Sequence, residues 1–326
     1  MNTDFILEKF KFEEDFKIPP VKNINAEAVI DIYEGMRDFF PSYQISLEPT
    51  TIAPKLDNIL DHFDALLLDA FGVINVGPEL VPGIISTLDK ARNKGITLLV
   101  VTNGASNNSF KKLAQLSSLG LEFSDNEIIS SRDAAEIFLT LNKPEGPMGI
   151  LGNIGNSFEI PNLHCIELEQ DYSMFNEMKS FVFLGTLHWD PLWQEILFNS
   201  LKDYPRPLFV ANPDLVAPHQ NKFSIEAAYY VSLLIKNGIH LPFWFGKPFS
   251  TIFEIAVNRI NELSGRYVPL SRIGMVGDTL HTDILGANSF GLKSILMTKY
   301  GLLRDSNIGE MIKKTNIIPD YIVEGP

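Results

Sequence analysis

Two apolar segments of this sequence each end in polar side chains that suit phosphate chemistry. Asp69 follows the apolar run 65–68, and Thr102 and Asn103 follow the β-branched run 96–101. A carboxylate can attack phosphorus as a nucleophile, while hydroxyl and amide groups can hold phosphate oxygens by hydrogen bonds. Many strands end in Asp, so Asp69 taken alone fits an ordinary turn equally well.

Two segments later in the chain add a cation and a pair of carboxylates. Lys247 stands in a Gly-Lys-Pro sequence after an aromatic run, and Asp278 and Asp283 follow the run 273–277. Lys247 could neutralise charge on phosphate oxygens, whereas an isolated Gly-Lys-Pro would be a turn with a solvated lysine. Asp278 could equally cap a turn. Carboxylate oxygens are the ligands that Mg²⁺ prefers, so the acid pair suggests a magnesium site.

These polar residues need a framework that brings them together. The apolar runs are short and are separated by stretches long enough for helices, which is the pattern of buried parallel strands. One helix is predicted to begin near 81–84 and to end at 94–95, and another covers 107–119. Later in the chain, further helices are predicted over 222–236 and 283–290. The carboxyl ends of such strands converge on one crevice in an open sheet. The sequence therefore predicts an α/β fold with a parallel sheet.

The order of these segments resembles the haloacid dehalogenase superfamily, and within it the class IIA branch of nitrophenyl-phosphatase-type enzymes. The matching motifs are Asp69-x-Phe71-Gly72-Val73, Thr102-Asn103, Gly246-Lys247-Pro248 and Gly277-Asp278-Thr279-x-x-Thr282-Asp283, and Ala211-Asn212-Pro213-Asp214 resembles the Asn-Pro-Asp turn of the branch. The resemblance runs from about residue 61 to the C-terminus. It implies a Rossmann-like core with an inserted α/β cap domain.

The domain boundaries follow from these motifs. We expect the core to comprise residues 61–104 and 246–326, and the cap to comprise residues 105–245, because that insertion is too long for a loop. Residues 1–60 form an N-terminal extension that the resemblance does not cover. Within it, apolar residues at near-helical spacing over 25–40 predict a helix packed on the core.

The resemblance also implies a role for each motif residue. Asp69 would be the nucleophile that forms an aspartyl phosphate. The implied Mg²⁺ ligands are the Asp69 carboxylate, the Phe71 backbone carbonyl and the Asp278 carboxylate, with Asp283 behind them. Thr102, Asn103 and Lys247 would bind the phosphate oxygens. Asn212 and Asp214 would shape the substrate entrance, or would form only a rigid turn.

Phe71 departs from the family pattern, which has a second Asp at this position. That Asp serves as the proton donor to the leaving group and then as the base for water. A phenyl ring cannot relay a proton, although its backbone carbonyl remains available to a metal. The other candidate proton carriers, each equally an ordinary surface or capping residue, are His281 in the fourth motif and His188, Asp190 and His219 in the cap.

Two functions are therefore compatible with the sequence. The first is a magnesium-dependent phosphatase that acts on a small phosphorylated metabolite, which the intact Asp69, Lys247 and Asp278 favour. The alternative is a non-catalytic phosphate or nucleotide sensor, which Phe71 favours.

Composition restricts the partners and the location. The net charge of −13 argues against binding to nucleic acid, which requires clustered basic residues. The single cysteine, Cys165, excludes an internal disulfide. We find neither an apolar run of about 18 residues nor a signal peptide, so we expect a cytoplasmic protein without a membrane partner. The oligomeric state stays open, and a homo-oligomer is one alternative.

Overall fold

The computed structural model describes residues 17–45, 48–153, 157–168, 172–220, 222–239 and 242–326. The helices in these ranges are α1 (Ala26–Gly35), α2 (Ile84–Asn93), α3 (Ser109–Ser118), α4 (Ser131–Leu141), α5 (Pro191–Asp203), α6 (Ala227–Lys236), α7 (Ser250–Ser264), α8 (Leu285–Phe290) and α9 (Ile308–Thr315). None of these helices combines the length and the apolar character needed to cross a membrane.

The strands of the described residues fall into two large sheets and two short hairpins. In chain order they are β1 (Thr51–Lys55), β2 (Ala65–Leu68), β3 (Asn75–Val76), β4 (Glu79–Leu80), β5 (Thr97–Thr102), β6 (Ile128–Ser130), β7 (Met148–Asn153), β8 (Cys165–Glu167), β9 (Ser180–Leu187), β10 (Leu208–Val210), β11 (Val216–Pro218), β12 (Phe223–Ile225), β13 (Pro242–Trp244), β14 (Ile273–Gly277), β15 (Lys293–Met297) and β16 (Tyr321–Gly325).

The larger sheet contains the strands that precede most of the sequence motifs. Its order is β1-β16-β15-β14-β2-β5-β6, and every neighbouring pair is parallel. Leu66 and Leu68 pack into an apolar layer with α2, whereas Leu67 and Leu99 pack into the opposite layer with α7. Because both faces are covered, the central strands are apolar throughout. The predicted α/β fold with a parallel sheet is confirmed.

The smaller sheet lies between the second and third motifs. Its order is β13-β10-β9-β7-β8, again with parallel pairs throughout. We call this sheet with its helices the cap, and the larger sheet with its helices the core. The inserted α/β cap that the sequence predicts is therefore present.

Strand pairing does not coincide with the predicted domain boundaries at two places. β1 lies in the predicted extension 1–60 but pairs with β16 of the core, and β6 lies in the predicted cap 105–245 but pairs with β5. Both are short edge strands, which carry too little hydrophobic pattern to be recognised. We infer that the insertion begins after α4 rather than at residue 105, and the exact boundaries stay a prediction.

Two predicted helices also differ from the structure. In the segment 222–236, residues Phe223–Ile225 form β12, which pairs with β11, and the helix begins only at Ala227. The helix predicted over 283–290 is preceded by a π-helical turn at Leu280–Ile284. Wide turns of this kind are frequent at functional sites.

The helix predicted within residues 25–40 is present as α1, followed by a 3-10 turn at Arg37–Phe39. The side chain of Asn25 accepts a hydrogen bond from the backbone N of Ala28 at 2.9 Å and so caps α1. The buried face of α1 packs against residues of both the core and the cap, whereas the sequence predicted contact with the core alone.

Asp190 begins α5 of the cap by the same capping chemistry. Its Oδ1 accepts hydrogen bonds from the backbone N of Leu192 at 2.8 Å and of Trp193 at 3.0 Å. We expect Asp190→Ala to lower the free energy of unfolding by about 1 kcal/mol, because two helix N–H groups lose their acceptor. Asp190→Asn keeps an oxygen acceptor and is the control. Identical urea midpoints for both variants would contradict the capping role.

Candidate active site

Lys247 joins two carboxylates at the carboxyl ends of the central core strands. Its Nζ lies 2.6 Å from Asp69 Oδ1 and 2.7 Å from Asp283 Oδ1. The same ammonium group donates a hydrogen bond to the carbonyl oxygen of Val101 at 2.9 Å. Lys247 is only 1% exposed, so its charge has to be balanced by the carboxylates around it.

Backbone groups at the end of β14 hold Asp278 and Asp283 in place. Asp283 Oδ2 accepts hydrogen bonds from the backbone N of Asp278 at 3.2 Å and of Thr279 at 3.1 Å. Asp278 Oδ2 accepts one from Leu302 N at 2.6 Å, and Asp278 Oδ1 accepts one from Thr279 Oγ1 at 2.8 Å. The π-helical turn therefore places the Asp283 carboxylate next to the C-terminal end of β14.

Asn103 connects the core to the Asn-Pro-Asp turn of the cap. Its Oδ1 accepts a hydrogen bond from Lys247 N at 2.7 Å, and its Nδ2 donates to Lys247 O at 2.9 Å and to Asp214 Oδ1 at 2.8 Å. Both amide hydrogens thus have protein partners. The side chain of Asn103 therefore holds Lys247 and Asp214 in position, and the predicted contact of Asn103 with phosphate stays a prediction.

Asn212 and Glu226 support this turn from within the cap. Asn212 Oδ1 accepts a hydrogen bond from Asp214 N at 3.1 Å, and Asn212 Nδ2 donates to Glu226 Oε2 at 3.0 Å. Asp214, Asn212 and Glu226 also line the larger of two cavities at the site. The turn is therefore held by hydrogen bonds and also lines the cavity, and its role at the substrate entrance stays a prediction.

Two cavities meet at this cluster. The larger has a volume of about 270 Å³ and lies between the core and the cap. The smaller, of about 20 Å³, touches Asp69, Thr102, Asp278 and Tyr33. The small cavity suits an ion or a water molecule, and the larger one suits a small organic group. Phe71 lines both.

The site carries more negative than positive charge. Burial raises the pKa of Asp69 to about 6, with repulsion from Asp283 adding to the shift and Lys247 opposing it. Burial, followed by repulsion from Asp283 and Asp69, raises the pKa of Asp278 to about 8. Burial alone would lower the pKa of Lys247, but the surrounding carboxylates outweigh it and raise that pKa. An additional cation would relieve this repulsion.

The carboxylates of Asp69, Asp278 and Asp283 fit a divalent metal ion. Each offers an oxygen atom, and these three atoms lie within 4.8 Å of one another. A hard cation such as Mg²⁺ prefers oxygen ligands of this kind. Asp283 belongs to this group, in agreement with the sequence-based expectation that it lies behind the ligands or joins them as an occasional ligand.

The backbone at Gly72 leaves space for this metal site. Gly72 has a φ of +81°, and a Cβ atom built there would lie 2.4 Å from Asp278 Oδ2. Only glycine adopts such a backbone conformation readily and allows this approach. The loop that follows Asp69 is therefore adapted to the position of the Asp278 carboxylate.

Of the four candidates for a replacement proton carrier, His281 and Asp190 bind partners away from the cavities, His188 is exposed and His219 lies near Phe71. His281 is fully buried, and its Nε2 lies 2.6 Å from Glu34 Oε1. Asp190 caps α5, and the ring of His219 is centred 6.1 Å from the ring of Phe71. Among the described residues that line the two cavities, none is a histidine. No described histidine in the walls of these two cavities therefore replaces the acid that is missing at position 71.

Sequence reasoning missed the contributions of Tyr33, Val29 and Glu226. Val29 and Tyr33 line the small cavity, although they lie in the segment that the family resemblance does not cover. The apolar spacing of other residues in this segment predicted a helix packed on the core, but it did not indicate that Val29 and Tyr33 would line a cavity. Glu226 lay inside a predicted helix, and only the strand β12 brings it to Asn212.

We expect Gly72→Ala to weaken Mg²⁺ binding about tenfold or more, because the added methyl group displaces the Asp278 carboxylate. Gly95→Ala is the control, since Gly95 has a similar φ of +76° but no atom within 4 Å of its built Cβ. Both variants carry comparable backbone strain. Calorimetric titration of the full chain measures the affinity, and equal affinities of both variants would contradict this assignment.

Comparison with known proteins agrees with the geometry of the site. A family model described as haloacid dehalogenase-like hydrolase matches residues 66–162, and one described as HAD-hydrolase-like matches residues 244–325. Phosphoglycolate phosphatase 2 of Arabidopsis thaliana is 27% identical over 286 residues, covering 81% of this chain and 91% of its own. A 4-nitrophenylphosphatase of Schizosaccharomyces pombe is 24% identical over 283 residues, with coverages of 81% and 92%.

A solved structure shares both the core and the cap. The crystal structure of a "possible sugar phosphatase, HAD superfamily" from Cytophaga hutchinsonii superposes with a TM-score of 0.73 at 27% identity. The match covers 85% of this chain and 98% of that one. Motif order, sheet topology and these similarities lead to one conclusion: the chain belongs to the haloacid dehalogenase superfamily of hydrolases, in its class IIA branch.

Proposed function

We propose that this protein is a magnesium-dependent phosphatase that cleaves a small phosphorylated metabolite through an aspartyl phosphate on Asp69. The chain is a phosphoric monoester hydrolase of the haloacid dehalogenase type, as its similarity to named phosphatases indicates. The observation that carries the finer proposal is the position of Asp69, 2.6 Å from the buried ammonium group of Lys247 and beside Asp278.

Lys247 and Thr102 are the groups we assign to the phosphate oxygens. Lys247 remains protonated because the carboxylates raise its pKa, so it can neutralise charge as the phosphoryl group is transferred. Thr102 lines both cavities, and its Oγ1 accepts a hydrogen bond from Gly104 N at 3.2 Å. We therefore assign the hydroxyl hydrogen of Thr102 to a phosphate oxygen.

Asp69, Asp278 and the backbone carbonyl of Phe71 would hold the magnesium ion, with Asp283 beside them. When bound, this ion would neutralise phosphate oxygens and so reduce their repulsion of the Asp69 carboxylate. The fit rests on the three adjacent carboxylates, whose mutual repulsion adds to the effect of burial in raising the pKa of Asp278.

In the first step, an Asp69 oxygen forms a bond to phosphorus, and the bond from phosphorus to the leaving-group oxygen breaks. The leaving group takes that electron pair and acquires its proton from solvent, because Phe71 cannot supply one. In the second step, a water oxygen forms a bond to phosphorus, and the bond from phosphorus to the Asp69 oxygen breaks. The water proton passes to solvent, and inorganic phosphate and the Asp69 carboxylate are released. General acid–base catalysis contributes about 10²- to 10⁴-fold, so its loss slows both steps but does not remove the nucleophile.

The volume of the larger cavity favours a small leaving group. About 270 Å³ is at or below the lower end of the range for drug-sized ligands. Phosphoglycolate and 4-nitrophenyl phosphate, which the names of two relatives imply, are of suitable size. Nitrophenolate is stable as an anion, so 4-nitrophenyl phosphate suits a site without a general acid.

We expect the protein to hydrolyse 4-nitrophenyl phosphate with Mg²⁺, and Asp69→Asn to lower kcat by about 10³-fold or more, since the nucleophile is lost. Asp64→Asn is the control, because Asp64 pairs with Arg272 at 2.9 Å on the opposite end of β2. Steady-state and stopped-flow assays measure both steps. Retained turnover in Asp69→Asn would exclude this nucleophile, and a single burst in the wild type would favour the sensor alternative.

Replacing Phe71 tests the consequence of the missing acid. We expect Phe71→Asp to raise kcat/KM for a simple alkyl phosphate by about 10²-fold, because an alkoxide needs a proton to leave. The gain for 4-nitrophenyl phosphate should be smaller, and Phe71→Asn, which has the same size but no transferable carboxyl proton, should give no gain. Similar rates for the Asp and Asn variants would show that position 71 does not limit the reaction.

A further inference from the structure

Residues 17–45, which we call the N-terminal strap, contact the core and the cap at the same time. On the core side, Lys314 Nζ lies 2.5 Å from Asp31 Oδ1. On the cap side, Tyr229 Oη donates a hydrogen bond to the carbonyl oxygen of Pro19 at 2.9 Å. The buried face of α1 belongs to one apolar cluster that includes residues of both domains. The strap therefore connects the two domains.

The side chain of Tyr33 contacts both the core and the cap. Its ring stacks on the ring of His281 in the fourth motif, with centroids 4.9 Å apart and planes inclined by 17°. Its hydroxyl accepts a hydrogen bond from Leu215 N at 3.0 Å and lies 3.5 Å from the carbonyl oxygen of Pro213. Tyr33 is 2% exposed, so bulk water does not readily replace these hydrogen bonds.

The two backbone groups that Tyr33 contacts flank Asp214. Asp214 Oδ1 accepts a hydrogen bond from Asn103 at 2.8 Å, and Asn103 in turn holds both the N and the O of Lys247. A continuous series of contacts thus runs from Tyr33 through the cap turn to the lysine that pairs with Asp69. Tyr33 itself touches the small cavity beside Asp69.

We propose that Tyr33 is a positioning residue of the active site, and that through it the N-terminal strap holds the cap turn 212–215 against the core. The strap thereby acts as a built-in brace between the two domains and forms one wall of the small cavity. For its effect on activity this inference rests on the proposed function, but the position of the turn can be measured without any substrate.

The first test compares Tyr33→Phe with Tyr43→Phe. The Tyr43 hydroxyl also bonds two backbone groups, donating to Asn316 O at 3.0 Å and accepting from Ile318 N at 2.8 Å, but both partners lie in the core. We expect Tyr33→Phe to lower kcat/KM for 4-nitrophenyl phosphate about 5- to 10-fold, the effect of about one buried hydrogen bond. Tyr43→Phe should stay within about twofold of the wild type, while both variants melt at similarly reduced temperatures. Equal activity of the two variants would overturn the proposal.

The second test is amide hydrogen exchange in the full chain without substrate. In the wild type, the Leu215 amide should exchange slowly, because it donates to Tyr33. Tyr33→Phe should accelerate that exchange about 5- to 10-fold, and Tyr43→Phe should leave it unchanged. Unprotected exchange at Leu215 in the wild type would overturn the inference even if Tyr33→Phe failed to fold. A wild type without phosphatase activity would instead refute the proposed function. The exchange result would then still test whether the strap holds the cap turn.

Discussion

The ion pairs of the buried Lys247 ammonium group with Asp69 and Asp283 are the interactions on which this site depends. An unpaired charge buried this far from water would cost several kcal/mol. Removing one of these residues would therefore leave the charge of another without compensation. The three residues come from distant parts of the chain. Asp69 and Asp283 meet because β2 and β14 end side by side in the core sheet, and Lys247 reaches them from the segment between β13 of the cap and α7. We propose that phosphate binds beside the same strand ends, where Lys247 would neutralise part of its negative charge.

The remaining charge at this edge is not balanced by the protein. Asp278 is buried beside two other carboxylates, and the only ammonium group within contact distance among the described residues is already paired. Backbone N–H groups from Leu302, Asp278 and Thr279 orient the carboxylates but carry no full charge. The core therefore provides a rigid site whose carboxylates suit a cation, and the phosphate chemistry that we propose at Asp69 would depend on that cation as well as on the lysine.

The cap is attached to this site by few but well-placed contacts. Asn103 reaches from the core to Asp214 in the cap turn, and Tyr33 reaches the same turn from the N-terminal strap. Both contacts lie next to the cavity in which a leaving group would be enclosed. The geometry of the cap turn is therefore coupled to the geometry of Lys247. The N-terminal strap, which precedes the first motif, thus forms part of the wall of the small cavity beside Asp69.

The sequence by itself determined the fold class, the inserted cap and the set of polar residues at the strand ends, because apolar runs with polar ends specify parallel strands and their common edge. Its ordered motifs also indicated the family. Only the tertiary structure decided that β1 and β6 join the core, that Asn103 holds Lys247, and that Tyr33 reaches the cap turn. Short edge strands and contacts between residues 144 or 182 positions apart leave no local pattern, since packing of the whole chain selects them.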